Sequence, residues 1–152
     1  MNIEGPIELR DGVQVHPDSY STSIAGRIAG EKEVELRYGT APVEKHLGGK
    51  LEYSDSTGNQ HFLDIVAQVV QGEKGNAVWV SMHVAGLGFD HLPIHLSNIQ
   101  EAKELLLSNM EEIAQSLRDS GVEISNEQLV RDVFGCLKIR GDHFLLESSV
   151  RL

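Results

Sequence analysis

The stretch that decides the fold is NIQEAKELLLSNMEEIAQSLRDS, running from Asn98 to Ser120. Ile99, Ala102, Leu106, Met110, Ile113 and Leu117 recur at intervals of three and four, which places them in one stripe along a helix. Glu101, Glu104, Glu111, Glu112 and Asp119 fall on the other side. Ser97 or Asn98 supplies a start signal, with Gln100 or Glu101 in place to complete a capping box. Gly121 supplies the stop, since glycine adopts the left-handed conformation without penalty, and Val122 can make the closing apolar contact. The pattern predicts one long amphipathic helix with an apolar face for the core and an acidic face turned outward.

Upstream, the period changes from helical to alternating. Val34, Leu36 and Tyr38 alternate with charged residues and predict a half-buried strand. Lys50 to Ser54, Phe62 to Val70 and Ala77 to Val84 predict three strands, separated by the turn clusters Asp55-Ser56-Thr57-Gly58-Asn59 and Gly72-Glu73-Lys74-Gly75-Asn76. In the third of these strands Val78, Val80, Met82 and Val84 are expected on one face. Leu92, Ile94 and Leu96 continue the alternation. Pro93 assigns this segment to a sheet edge, because proline cannot donate to the ladder. Gly39 to Gly49, with Pro42 and the pair Gly48-Gly49, reads as a connection.

Both ends are less regular. Val13 and Val15 predict a short strand, broken by His16-Pro17-Asp18-Ser19. Ser21 to Gly30 reads as a loop, and residues 1–30 as a whole are expected to be loosely ordered. After the long helix a brief strand is expected over Val122 to Ile124. Ser125-Asn126-Glu127-Gln128 is a second capping box opening a short helix that closes at Gly135. Cys136 to Arg140 and His143 to Glu147 are then expected to pair as a hairpin around Gly141-Asp142. Together these elements predict a single α+β domain over residues 1–152. An antiparallel or mixed sheet would carry the long helix on one face, with a short helix and a C-terminal hairpin beside it.

Charge narrows the function. Twenty-three acidic residues against thirteen basic ones give a formal charge of −10, which opposes binding to nucleic-acid backbone or anionic lipid. It suits a basic protein partner, or self-repulsion that keeps the protein dispersed. The N-terminal sequence has neither the basic region nor the apolar run of a signal peptide, and no apolar stretch approaches the roughly 20 residues that span a bilayer. A cytoplasmic location is the default expectation, with signal-independent export also compatible. Cys136 is the only cysteine, so no intrachain disulfide forms, and its apolar surroundings suggest a buried structural thiol.

Two groups of residues are candidates for chemistry or recognition. His83, Asp90, His91 and His95 offer imidazole and carboxylate donors on neighbouring predicted strands and could converge on zinc or iron. The competing reading is a set of separate surface histidines, since no standard ligand spacing such as His-Glu-x-x-His is present. The other group is Glu101, Glu104, Glu111, Glu112 and Asp119, which could dock a basic partner or serve only as a solvated outer face. Asp55-Ser56-Thr57-Gly58 reads as a turn rather than a protease loop. No nucleophile elbow, phosphate loop or dinucleotide fingerprint is found. No catalytic residue and no cofactor are expected.

The residues from Ala77 to Ile124 also carry a family likeness. Leu92-Pro93-Ile94-His95-Leu96-Ser97-Asn98, the spacing from Leu105 to Leu117, and the closing Arg118-Asp119-Ser120-Gly121-Val122-Glu123-Ile124 resemble the C-terminal domain of flagellar hook-length control proteins. The resemblance implies a compact, non-enzymatic domain that contacts the type III export gate and switches its substrate specificity. Two alternatives remain open at this point: an acidic inhibitor that mimics nucleic acid, of the kind phages use, and a metal-dependent enzyme built on the histidine cluster.

Overall fold

In the computed structural model the described residues are 5–36, 39–71, 77–86, 89–95 and 99–140. The chain opens with a hairpin of β1 (Ile7–Arg10) and β2 (Val13–Pro17), followed by a short helix α1 (Ser23–Ala29). A small hairpin, β3 (Glu33–Leu36) and β4 (Gly39–Pro42), leads into β5 (Lys45–Ser54), β6 (Gln60–Gln71), β7 (Ala77–Gly86) and β8 (Phe89–His95). Three helices close the described chain: α2 (Ile99–Asn109), α3 (Glu111–Asp119) and α4 (Asn126–Arg140).

Among the described residues, six strands form one antiparallel sheet in the order β1-β2-β5-β6-β7-β8, and β3 pairs only with β4. The architecture is α+β, as expected. β8 lies at an edge, where the ladder does not require an N–H from Pro93 on its outer side. Residues directly opposite in an antiparallel pair share a face, so Leu51 opposite Leu63, and Leu47 opposite Ala67, build one apolar surface. That surface and the buried sides of α2, α3 and α4 enclose the main core. Phe134 of α4 stacks on Trp79 of β7, ring centroids 5.5 Å apart.

Several expectations are corrected. Gly48 and Gly49 do not connect strands; they sit inside β5. A methyl group on Gly48 would lie 2.0 Å from the Ile65 carbonyl oxygen, and one on Gly49 would lie 2.5 Å from that of His16. The two glycines therefore let β6 and β2 close on β5 from its two sides. In β7, Gln68 pairs with Ser81 and Val69 with Trp79, so Val80 is an extra residue in the ladder. This bulge reverses the alternation. Trp79 joins Met82 and Val84 in the core, while Val78 and Val80 are half-buried on other surroundings.

The single long helix is also corrected. Its apolar stripe is continuous, with Ala102, Leu106, Met110, Ile113 and Leu117 all buried, but the backbone is interrupted at Met110. Just before the break, Ser108 Oγ donates to the Glu104 carbonyl and Asn109 Nδ2 donates to the Leu105 carbonyl. Such side chains compete with the backbone for helix acceptors and favour a bend. α3 then ends as the sequence predicts. Gly121 takes φ 98°, and the Val122 N–H donates to the Leu117 carbonyl at 2.9 Å, the pattern of a Schellman stop.

α4 is longer than expected. Ser125 caps it, accepting from the Gln128 N–H at 3.1 Å, but Gly135 does not end it. A methyl group at Gly135 would meet Leu9 Cδ1 at 2.8 Å, so this glycine serves close packing against β1. Cys136 to Arg140, expected as a hairpin arm, is helical. Its expected partner, His143 to Glu147, lies outside the described residues. Val122 to Ile124 is not a strand, and the expected loop over Ser21 to Gly30 contains α1. No described helix is long and apolar enough to cross a membrane.

Candidate functional site

The sheet face turned away from α2, α3 and α4 carries polar side chains of β5, β6 and β7 alongside Phe62 and Val66, as the alternation along these strands requires. On it, Gln68 Nε2 donates to Glu31 at 2.7 Å, and Ser81 Oγ donates to the Gln68 side-chain amide oxygen Oε1. His83 Nε2 lies 3.3 Å from the same hydroxyl. The Ser81 proton is committed to Gln68 and Ser81 is buried, so this serine is not arranged as an activated nucleophile. These groups floor a groove of about 540 Å³, with Glu31, Glu33 and Glu35 among its lining and Val34 and Val80 as its apolar part.

This is where one of the four histidine-cluster residues falls. Register sets His83 opposite Pro93 and Ser81 opposite His95, so the backbones of β7 and β8 run side by side there. The side chains of Asp90, His91 and His95 lie outside the described residues. Among the described residues, no group of three or more His, Cys, Asp or Glu side chains is placed to hold a metal.

The five acidic helix residues are divided between two helices by the break at Met110. Glu101 and Glu104 belong to α2, and Glu111, Glu112 and Asp119 to α3. All five are exposed. Glu111 accepts from Arg118 Nη2 at 3.0 Å and from Asn126 Nδ2 at 2.8 Å, and Asp119 accepts from Gln115 at 2.8 Å. α3 therefore carries part of its acidic side in fixed geometry.

A second polar constellation escaped the sequence reading. Asp132 of α4 is buried and takes four hydrogen bonds: Arg10 Nε at 2.9 Å, Arg10 Nη2 at 2.8 Å, Tyr53 Oη at 2.8 Å and Gln128 Nε2 at 2.9 Å. The hydrogen-bonded carboxylate raises the pKa of Arg10, and burial followed by the Asp132 charge pushes the Tyr53 hydroxyl well above its ordinary value. The signal that could have found it is the acid Asp132 placed between the apolar pairs Leu129-Val130 and Val133-Phe134. The cluster ties α4 to β1 and β5. Arg10 and Tyr53 also line a cleft of about 870 Å³ closed by the β5–β6 turn and the segment joining α3 to α4. Each donor toward Asp132 is satisfied, which is the arrangement of a structural clasp.

The β5–β6 turn is built on Asp55, as its sequence suggests. Asp55 Oδ1 accepts from the Thr57 N–H, Thr57 Oγ1 and the Asn59 N–H, while Oδ2 pairs with His61 Nε2 at 2.9 Å. The His61 hydrogen bond, then those of Thr57 and Asn59, hold its carboxyl far below the usual carboxylate range. Cys136 is buried, and burial pushes its thiol up to about 12. No known protein family, curated protein or solved structure matches the chain.

Proposed function

We propose that this domain is a non-catalytic protein–protein interaction module that docks a basic partner surface on the outward side of α2 and α3. The observation that carries this reading is the exposure of Glu101, Glu104, Glu111, Glu112 and Asp119 on helices whose apolar residues are spent on the core. Carboxylates held on a packed helical layer present a negative field without the entropy cost of ordering a loop. The formal charge of −10 adds long-range attraction for a basic surface. In the form that the hook-length resemblance suggests, the partner belongs to a flagellar or other type III export apparatus.

The test is co-purification from the native host with the unaltered chain and with the triple variant Glu101→Lys, Glu104→Lys, Glu112→Lys. The unaltered chain is expected to retain a protein partner at about 50 mM salt and to lose much of it at about 300 mM, where charges more than several ångströms apart are screened. The variant is expected to lose that partner at both. Equal capture by the two chains would overturn the reading. So would an unaltered chain that captures nothing while a small molecule raises its Tm.

A further inference from the structure

α1 is the helix on the polar side of the sheet, and three contacts hold it. At its N-terminal end the Asp64 carboxylate of β6 accepts from the Ser21 N–H at 2.9 and 3.1 Å, from Ser21 Oγ at 3.0 Å and from the Thr22 N–H at 2.7 Å. In the middle, Ala25 and Ile28 bury against Val66, a cluster separate from the main core. At the C-terminal end the His46 ring of β5 reaches the Ile28 carbonyl, while its Nε2 is buried without a hydrogen-bond partner.

Charged and titratable groups lie on each of the elements next to His46. Glu31, just beyond α1, attracts a charged ring, but it also accepts from Gln68. Arg27 of α1 is exposed. On β6, neutral Gln68 is opposite His46 in register, and Asp64 is engaged by Ser21 and Thr22. Ser81 and His83 of β7 follow beyond Gln68, and Glu44 and Lys45 precede His46 along its own chain.

We propose that α1 is a pH-released strap: it stays docked while His46 is neutral, and it lifts from β6 when the imidazole takes its second proton. A protonated ring would place a new N–H donor, and a positive charge, at a buried position where nothing accepts from Nε2. Desolvation is the dominant influence on this ring and lowers its pKa from 6.5, outweighing Glu31 and the Ile28 carbonyl, both of which favour the charged form. The docked state is thus favoured above the free-ring value, and that preference is lost as pH falls through the interval between the free and docked values. The strap rests on a small apolar cluster of its own, so it can open while the main core stays closed. Opening uncovers Val66 and the polar strand face beneath it.

The experiment is hydrogen exchange of residues 23–29 at pH 7.5 and 5.5, corrected for intrinsic exchange. It uses the unaltered chain, His46→Phe and His46→Gln. A ring that ionises near 6.5 when free and stays neutral when docked can raise the opening equilibrium by at most about tenfold across this range. The unaltered chain is expected to show a rise of about three- to tenfold, and both variants a ratio near one. His46→Gln keeps a donor toward the Ile28 carbonyl and guards against a packing defect in the phenylalanine variant. Ile28→Ala is expected to raise opening at both pH values while preserving their ratio. A pH response that persists in both His46 variants overturns the proposal. Loss of protection in α1 only together with α4 does so as well, because the opening would then be global. α1 and the acidic side of α2 and α3 lie on opposite sides of the sheet, so either reading can fail without the other.

Discussion

At the scale of single residues, stability concentrates where one polar side chain joins several elements at once. Asp132 gathers donors from β1, β5 and its own helix, so its loss leaves several groups unsatisfied at once. Asp132→Ala is expected to cost more than Tyr53→Phe. The single phenol bond is worth about 1 kcal/mol, whereas stranding a buried hydroxyl and a partly buried guanidinium costs on the order of 2–4 kcal/mol. Urea unfolding of the two variants checks the ordering, and equal losses would mean that the clasp is not shared. Asp55 acts through pH instead. Its folded-state pKa lies below the ordinary 3.8, so the folded protein resists taking up the proton that the unfolded chain accepts. The stability it contributes is present at neutral pH and drains away as pH falls through about 4 and below. Asp55→Asn is expected to flatten the dependence of Tm on pH between about 5 and 2, read by a thermal melt at each pH.

At the scale of elements, small irregularities decide which side chains enter the core. The bulge at Val80 is the clearest of them. Removing Val80 would leave Trp79 and Ser81 adjacent, matching Val69 and Gln68, which already are. The deletion is therefore expected to fold, at a cost of about 1–2 kcal/mol, with the Trp79 fluorescence of the native protein. Deleting Met82 instead removes a core residue and puts the two halves of β7 out of phase. That variant is expected to lose cooperative unfolding. If both deletions behaved alike, the bulge would not be what sets the face of Trp79. The alternation in the sequence was legible, but its reversal was not, because nothing local marks Val80 as the extra residue. The long apolar stripe was legible in the same way. Its interruption depended on Ser108 and Asn109 turning to their own backbone carbonyls, which competes with a continuous helix.

At the scale of the whole molecule, one core lies between the sheet and three helices, and a minor one lies beneath α1. Cys136 reports on the first. Its thiol is fully buried and its ionisation is pushed up to about 12, so reaction with a thiol reagent requires exposure. Labelling at neutral pH is expected to follow the rate or equilibrium of global unfolding and to ignore the opening of α1. A labelling rate that tracked exchange in residues 23–29 would show that the two cores are not independent.

The elements that repeat a simple period were determined by the sequence alone. The meander from the second half of β5 to β8, the apolar stripe of α2 and α3, the Ser125 cap and the Gly121 stop all follow from local chemistry within a few residues. The acidic residues of the helices were likewise legible as a solvated side, because exposure follows from the same periodicity. Tertiary structure decided the rest. Gly48, Gly49 and Gly135 look like breakers in isolation, yet each marks a close approach by another strand or side chain. α1 is short and contains Gly26, so it is stable only with Asp64 at its start and Val66 beneath it. The Arg10–Asp132 pair joins residues 122 positions apart. Such contacts have no local signature, since they arise from how elements pack rather than from how any one of them is written.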